Sequence, residues 1–240
     1  MGIKTVRYGE MKLDNPVALI GFPSTGLVSS IISNFYVGQF NMPIIASMSG
    51  PFMPPYCFIS NGIAYPPVRI YGRKGKGKNG RDVIICLSEY APKPEDAYEL
   101  AREIIRFLKQ QCITDVICFE GVPRFTDEDA LTICGSGPGC KDMIRRSKLP
   151  VMDNGMIRGM TGVLMYEGPT AGLNVVSLLC PSAQNVPDPG SAASFIEPVS
   201  RMVPGFKADS KPLLDEADLI EKKIEEQQTG VKEMDSQLYG

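Results

Sequence analysis

The 240-residue sequence contains no histidine. This absence excludes Ser-His-Asp and Cys-His nucleophilic sites, histidine general bases and nearly all catalytic zinc sites. An enzyme built on this chain would have to depend on carboxylates, lysine, tyrosine or cysteine. The missing residue type therefore narrows the catalytic chemistry that the chain can support.

The sequence also lacks a strong net charge, because 25 Lys/Arg and 27 Asp/Glu leave a formal charge of −2. Nothing in this balance predicts binding to nucleic acid or to an anionic membrane. No apolar N-terminal signal region and no run of 18 apolar residues is present, so we expect neither secretion nor a membrane span, and a cytoplasmic location. The charge is uneven, since residues 207–240 carry five Lys/Arg and nine Asp/Glu.

No C-x-x-C pair occurs among the seven cysteines. Cys86, Cys118 and Cys180 lie inside the apolar runs VIICL, VICF and VVSLLCP. An odd number of cysteines without metal-binding spacing predicts buried free thiols in a reducing compartment.

Hydrophobic residues make up 43% of the chain, which is ordinary for a globular protein and sufficient for a core without disulfides or metal. Short apolar runs predict strands, and the intervening segments predict helices. The predicted strands are 16–21, 43–48, 82–87, 115–121 and 173–181, and the predicted helices are 27–37, 94–111 and 188–203, the last interrupted by Pro198. This alternation indicates βαβ units, a largely parallel sheet and helices on both of its faces.

The C-terminal part of the chain has a different pattern. Residues 207–229 are predicted to form an amphipathic helix, and Gly230 begins a tail over 230–240 that follows an α/β/α domain over 1–206. A heptad-like apolar spacing runs through Leu213, Ala217, Ile220, Ile224, Val231, Met234 and Leu238.

Two glycine-rich stretches resemble nucleotide-binding loops but depart from them. In Gly72–Asn79, an asparagine replaces the Mg²⁺-binding hydroxyl and a strand follows, so the stretch is predicted to be a β-hairpin tip. In Gly135–Cys140, a cysteine stands where the third glycine belongs. A loop that caps a short helix near Lys141–Arg146 is the favoured interpretation, and an anion-binding loop is the alternative.

Polar residues also follow the predicted parallel strands, where α/β folds often bind ligands. The loops Gly21–Gly26 and Glu120–Arg124 are of this kind. Glu89 and Glu120 both lie at strand ends, so a carboxylate pair is conceivable, but structural turns are the favoured interpretation.

The sequence ends in SQLYG, with an apolar residue and a tyrosine at a position that is usually polar. Leu238 continues the heptad-like spacing, so it could pack on the chain itself. The alternative is that this end is offered to a partner.

Several segments in this order resemble the proteasome assembly chaperone family, in particular its archaeal members related to the second eukaryotic assembly chaperone. They are PVALIGFPSTGLV, the helix–strand pair over 94–121, and the segment 155–203 with the helix after it. The resemblance covers roughly residues 10–228.

The resemblance implies a three-layer α/β/α fold similar to nucleoside phosphorylases, with a C-terminal helical appendage. It implies a non-catalytic, ATP-independent protein without cofactor or metal that binds the α-ring of the proteasome core particle. It further implies a homo-oligomer, while the near-neutral charge and the lack of long apolar runs lead us to expect no contact with nucleic acid or membrane. Some members carry a C-terminal hydrophobic–tyrosine–any-residue motif, to which Leu238, Tyr239 and Gly240 correspond.

Two alternatives remain open at the level of sequence. One is an enzyme of nucleoside-phosphorylase or hydrolase type that uses loops 21–26, 89–94, 120–125 and 135–140. The other is a scaffold whose C-terminal helix mediates self-association or pairing with a chaperone paralogue.

Overall fold

The structure is a computed structural model that describes residues 2–9, 11–77, 80–126 and 129–220. Its strands are β1 Lys4–Arg7, β2 Val17–Gly21, β3 Ile44–Ser49, β4 Phe58–Ser60, β5 Ile63–Tyr65, β6 Val68–Arg73, β7 Val83–Leu87, β8 Asp115–Pro123, β9 Thr132–Ser136 and β10 Asn174–Ser182. Its α-helices are α1 Val28–Gln39, α2 Pro94–Gln110, α3 Cys140–Ser147, α4 Gly159–Glu167, α5 Pro189–Ala193 and α6 Ile196–Met202, and residues 211–220 are also helical.

An eight-stranded sheet in the order β1-β3-β6-β7-β2-β8-β10-β9 forms the centre of the molecule. The strands β7, β2, β8 and β10 pair in parallel, and β3 runs in the same direction as they do. The strands β1, β6 and β9 run in the opposite direction. The prediction of a mostly parallel sheet is therefore confirmed, with antiparallel strands on both flanks.

Helices cover both faces of this sheet because the central strands are apolar on both sides. Every residue of β2 is buried, and successive side chains point to opposite faces. Val17 and Leu19 belong to the core that includes α1 and α6, whereas Ala18 and Ile20 belong to the core that includes α2 and α4. The predicted three-layer α/β/α arrangement is thus confirmed, while a likeness to nucleoside phosphorylases stays a prediction.

The helix α2 shows why the sequence pattern was informative. Pro94 is its first residue, where a missing N–H costs nothing, and Glu95 and Asp96 complement the positive end of the helix dipole. One face is buried against the sheet through Ala97, Leu100, Ala101, Ile104, Ile105, Phe107 and Leu108. The predicted range of 94–111 agrees with the observed helix to within one residue.

The predicted helix over 188–203 is two short helices, as the proline suggested, but the break lies upstream of the proline. The first, α5, ends at Ala193, and α6 begins at Ile196. Pro198 is the third residue of α6, within the first turn, where backbone N–H groups have no intrahelical acceptor. The proline is therefore accommodated inside the second helix.

The first part of the predicted C-terminal appendage packs on the body of the protein. Phe206, the last residue of the predicted α/β/α domain, is buried beside Tyr36 and Phe40, with ring centroids 4.8 and 4.6 Å away. Ala208 and Leu213 of the predicted appendage join the same core. The seam residues Ile224, Val231, Met234 and Leu238 lie outside the described residues. The division of the chain at residues 206/207 stays a prediction.

No helix in the described ranges combines the length and apolar character that crossing a bilayer requires.

Gly21 allows β2 and α1 to approach closely, which gives a testable prediction. A Cβ at this position would overlap Ser33 Oγ and would lie 2.7 Å from the backbone oxygen of Ser29. We expect Gly21→Ala to lower the free energy of unfolding by about 1–3 kcal/mol, because the helix must move outward. Gly38→Ala is the matched control, since nothing lies within 4 Å of its added methyl group.

In that control, alanine should raise helix stability by roughly 0.5–1 kcal/mol. Urea unfolding of both variants measures the difference. Equal stabilities of the two variants would contradict the close approach.

Candidate interaction surface

The loops that follow the parallel strands are joined to one another by hydrogen bonds. Ser24 Oγ accepts from the Gly121 N–H at 2.9 Å and lies 2.5 Å from Ser29 Oγ. Ser182 Oγ donates to the Thr25 carbonyl oxygen at 3.0 Å. The ends of β2, β8 and β10 are thereby connected by side chains that use their polar atoms on each other.

These loops also lie in close contact with one another. A Cβ on Gly121 would overlap the Thr25 carbonyl oxygen and lie 2.8 Å from Val28 Cγ2. The backbone N–H of Asp188 donates to the Gly26 carbonyl at 2.9 Å. This packing supports the interpretation of loops 21–26 and 120–124 as structural turns.

Glu89 and Glu120 do not form the carboxylate pair that the sequence left conceivable. Glu89 accepts two hydrogen bonds from the Arg69 guanidinium, at 2.6 and 2.7 Å, and one from Asn34 of α1 at 3.3 Å. Glu120 faces α4, where the Thr161 hydroxyl is near enough to lower its pKa. Since α1 and α4 cover opposite faces of the sheet, the two carboxylates are separated by the sheet.

Glu120 is held in an environment that disfavours its charge. Burial raises the pKa of its carboxyl group from 4.5 to about 7, and the Thr161 hydroxyl only partly opposes that change. The group lies on the α2/α4 side of the sheet, where β8 also places the buried Cys118. Among the described carboxyl groups in the predicted loops, Glu120 is the one whose pKa is raised in this way.

The glycine-rich stretch 135–140 caps α3, as favoured from the sequence. The Gly139 N–H donates to Asn174 Oδ1 at 2.7 Å, and a Cβ on Gly139 would lie 2.5 Å from Asn174 Nδ2. Gly137 has a φ of +90°, and a Cβ added to it would lie 2.5 Å from the Leu173 carbonyl oxygen. These glycines fit the loop against the start of β10, and the Gly139 amide already has a protein acceptor.

The stretch 72–79 connects β6 to β7, which pair antiparallel, so the predicted β-hairpin is confirmed. Asp82 accepts hydrogen bonds from Lys74 Nζ at 2.8 Å and from the Gly75 N–H at 2.7 Å. Burial alone would raise the pKa of Asp82, but these bonds and one from the Asp14 N–H outweigh it and lower the pKa. Lys78 and Asn79 lie outside the described residues.

A shallow cleft of about 270 Å³ lies at the end of β10 beside α5. Arg124 Nη2 donates to Ser191 Oγ at 2.7 Å, and Ser191 N–H donates to Asp188 Oδ1 at 2.9 Å. Burial raises the pKa of the Cys180 thiol in this cleft. The cleft therefore contains the protonated thiol of Cys180 and the guanidinium of Arg124, whose hydrogen bond is made to Ser191 of the same chain.

One exposed segment between β3 and β6 was not predicted from the sequence. Residues 50–66, here called the arm, leave the sheet after β3 and return at β6, and none of them is buried. They include the two-stranded sheet of β4 and β5. Ile59 is 67% exposed, Ile63 55% and Tyr56 45%. A simple count of charges was the available signal, because residues 15–68 contain no Asp, Glu, Lys or Arg.

The inner side of the arm is anchored by aromatic contacts. The Arg69 guanidinium lies 3.9 Å from the centre of the Phe58 ring, a cation–π contact. The Tyr65 ring meets Tyr8 edge-on at 5.2 Å. These contacts fix one face of the hairpin on the body and leave the other face outward.

The predicted docking residues Leu238, Tyr239 and Gly240 lie outside the described residues. Their role stays a prediction.

The buried carboxyl group of Glu120 predicts a pH-dependent stability. Its pKa is about 7 in the folded chain and 4.5, the ordinary value for glutamate, in the unfolded chain. Between these two pH values the folded chain therefore binds more protons than the unfolded chain. The stability contribution of this group therefore falls as pH rises through that window. Glu120→Gln removes this titrating group. The free energy of unfolding of the variant, relative to that of the original chain, should therefore rise by about 2–3 kcal/mol between pH 4.5 and 7.

Urea unfolding at both ends of the window measures this change. Glu99→Gln, on the exposed side of α2, is the matched control and should follow the original chain. A Glu120→Gln advantage that is constant with pH would show that the carboxyl group is not held neutral.

Comparison with known proteins identifies the family. A model of the PAC2 family matches residues 18–228. A relative from Methanocaldococcus jannaschii, the uncharacterized protein MJ0106, is 26% identical over 224 residues, which cover 93% of this chain and 90% of the relative.

Solved structures share the whole fold. Pyrococcus furiosus PbaA, described as an archaeal homolog of proteasome-assembly chaperone, has a TM-score of 0.83 and 27% identity, covering 99% of this chain and 96% of its own. Pyrococcus furiosus PbaB, described as an archaeal proteasome activator, has a TM-score of 0.81 over 95% of this chain and 99% of its own, and its 20% identity shows a common fold. Because the family model spans most of its length, this chain belongs to the PAC2 family.

Proposed function

We propose that this chain is a non-catalytic, ATP-independent proteasome assembly chaperone or activator. It docks on the α-ring of the core particle as a homo-oligomer in the cytoplasm, through Leu238, Tyr239 and Gly240. The observation that carries the proposal is the match over the full fold to PbaA, an archaeal homolog of proteasome-assembly chaperone, within the same family.

The non-catalytic part of the proposal is supported by the strand-end loops. In α/β enzymes these loops form the ligand crevice, whereas here Ser24, Gly121 and Ser182 bond to neighbouring loops. The phosphate-loop-like stretch 72–79 lies in a β-hairpin instead of preceding a helix, so no helix N-terminus meets a phosphate there. Glu89 and Glu120 are the two carboxylates that could have formed a catalytic pair. They lie on opposite faces of the sheet.

The docking part of the proposal depends on the chemistry of the last three residues. Capture of a C-terminal carboxylate is an established mode of peptide recognition, and a basic side chain between α-ring subunits would meet the Gly240 carboxylate. Burial of Leu238 and Tyr239 would contribute about 1.5–3 kcal/mol each, before the cost of ordering the tail. One tail would bind weakly, so affinity requires several tails on one oligomer, with a gain of roughly 10²–10⁴.

The tail mechanism is tested with variants that change only the terminus. Deletion of residues 238–240 should abolish binding to an archaeal core particle, because the apolar anchors and the carboxylate are lost together. Adding one serine after Gly240 keeps every side chain but displaces the carboxylate, and it should weaken binding at least about tenfold. Biolayer interferometry on immobilised core particle measures both effects.

The matched control is Ser236→Ala, which changes the tail outside the proposed motif and should bind normally. Mass photometry confirms that each variant keeps the original oligomeric mass. Full binding by the deletion variant would contradict docking through the tail.

A further inference from the structure

The chain after α6 is fixed first at the end of the sheet where the parallel strands begin. The Pro204 carbonyl oxygen accepts a hydrogen bond at 3.2 Å from the N–H of Arg81, which lies two residues before β7. Phe206 is 1% exposed, and the guanidinium of Arg73, at the end of β6, lies 5.5 Å from the centre of its ring. These contacts fix the place where the C-terminal segment starts.

The helix over 211–220 presents one face to the body of the protein and the other to solvent. Leu213 is 3% exposed and Ala217 and Ile220 are half-buried, whereas Leu214 and Leu219 are 47% and 58% exposed. Positions separated by four and by three residues lie on the same side of an α-helix. The body of the protein therefore occupies the heptad-like seam as far as Ile220.

The contact of Ala217 shows in which direction this helix runs. A Cβ added to Gly190 would lie 3.5 Å from the Cβ of Ala217, an ordinary contact distance. Gly190 is the second residue of α5, and the N–H of Asp188, just before α5, donates to the carbonyl oxygen of Gly26 in the loop after β2. The start of α5 thus lies where the parallel strands finish. The helix over 211–220 therefore runs toward that end of the sheet.

An exposed valine lies beyond this contact, in the loop over 183–188 that joins β10 to α5. Val186 is four residues before Gly190 and is 42% exposed. The loop is held in place, because the Ala183 N–H donates to Asp188 Oδ2 at 3.0 Å and Asp188 is itself bonded to the loop after β2. Val186 is therefore an apolar residue on a fixed surface, near the end of the described helix.

The next apolar residue of the seam is Ile224, which comes seven residues after Ala217 and lies outside the described residues. Seven residues of α-helix advance about 10.5 Å. The four residues from Gly190 back to Val186 span at most about 14 Å of chain. A helix that continued in the same direction would bring Ile224 alongside Val186.

We propose that residues 221–227 dock on the loop over 183–188 as a continuation of the helix over 211–220, with Ile224 covering Val186. The chain's own segment is favoured over a second copy because it is already attached beside the loop. Ile224 follows the described helix by four residues, so its local concentration at the loop is on the order of millimolar. The same seam of a second copy is occupied by that copy's own body through Leu213 and Ala217.

This docking does not depend on the proposed binding to the core particle, and it determines where the C-terminal tail begins. The tail after Gly230 would leave the molecule at the end of the sheet where the parallel strands finish. The apolar seam would be used within one chain, so the C-terminal helix would not serve as a scaffold for self-association.

The first test measures whether Val186 is covered in the full-length chain. Val186→Cys places a thiol in the loop, and the exposed Cys112 after α2 is the internal reference. Iodoacetamide should alkylate the introduced thiol at least about tenfold more slowly than Cys112. Adding Ile224→Lys should raise the rate at the introduced thiol at least about tenfold, because lysine keeps the helix propensity but its charge resists burial.

Leu219→Lys is the matched control, since Leu219 lies on the exposed face of the same helix and is 58% exposed. Added to Val186→Cys, it should leave the introduced thiol slow to react. Mass spectrometry of the modified peptides measures each rate in the same sample.

The second test identifies what covers the loop. In a chain with Val186→Cys and Ile224→Cys, mild oxidation should join the two introduced thiols within one chain, whose mass stays at 26.2 kDa on a non-reducing gel. Val186→Cys with Leu219→Cys is the matched control and should form this bond at least about tenfold more slowly. Peptide mass spectrometry identifies the thiols that are joined.

Three results would overturn the proposal. They are an introduced thiol at position 186 that reacts as fast as Cys112, equal effects of Ile224→Lys and Leu219→Lys on its rate, and a disulfide that joins two chains. The last result would assign the loop to a second copy. Deletion of residues 238–240 leaves Val186 and Ile224 in place, so this proposal and docking through the tail fail separately.

Discussion

The two-sided burial of the central strands is the constraint from which the rest of the architecture follows. A strand such as β2, with all five residues buried, must have an apolar layer on each face. The helices α1 and α6 supply one layer, and α2 and α4 supply the other. Gly21 permits α1 to lie close against the strand, and Phe206 extends that layer to the beginning of the C-terminal segment.

The same constraint determines where function can lie. Because the helices cover both faces, ligands in an α/β sheet normally bind beyond the strand ends, and here that region is occupied by interlocking loops. Within the described residues, the arm is an exposed stretch outside these loops. The proposed docking through the tail depends on an oligomer, because several weak tails become effective only when one particle presents them together.

Local patterns were sufficient for the central elements and insufficient for the contacts between them. Periodicity and Pro94 located α2 to within one residue, and the apolar runs located the parallel strands. The short polar strand β1 and the glycine-containing helix α4 carry little periodic signal, so neither was predicted. The bond between Ser24 and Gly121 joins residues 97 positions apart, and no local pattern encodes such a partner. The arm differs, since its lack of charge was readable from the sequence but had no recognised meaning before the structure placed it on the surface.

The central claim is that this chain binds the proteasome core particle through its C-terminal residues. Electron cryomicroscopy of the full-length chain mixed with an archaeal core particle tests it most directly. The account predicts an oligomer seated on the α-ring, with density for Leu238, Tyr239 and the Gly240 carboxylate in clefts between neighbouring α subunits. Core particles with empty clefts, whether the chain is absent or attached through its α/β body, would contradict the account.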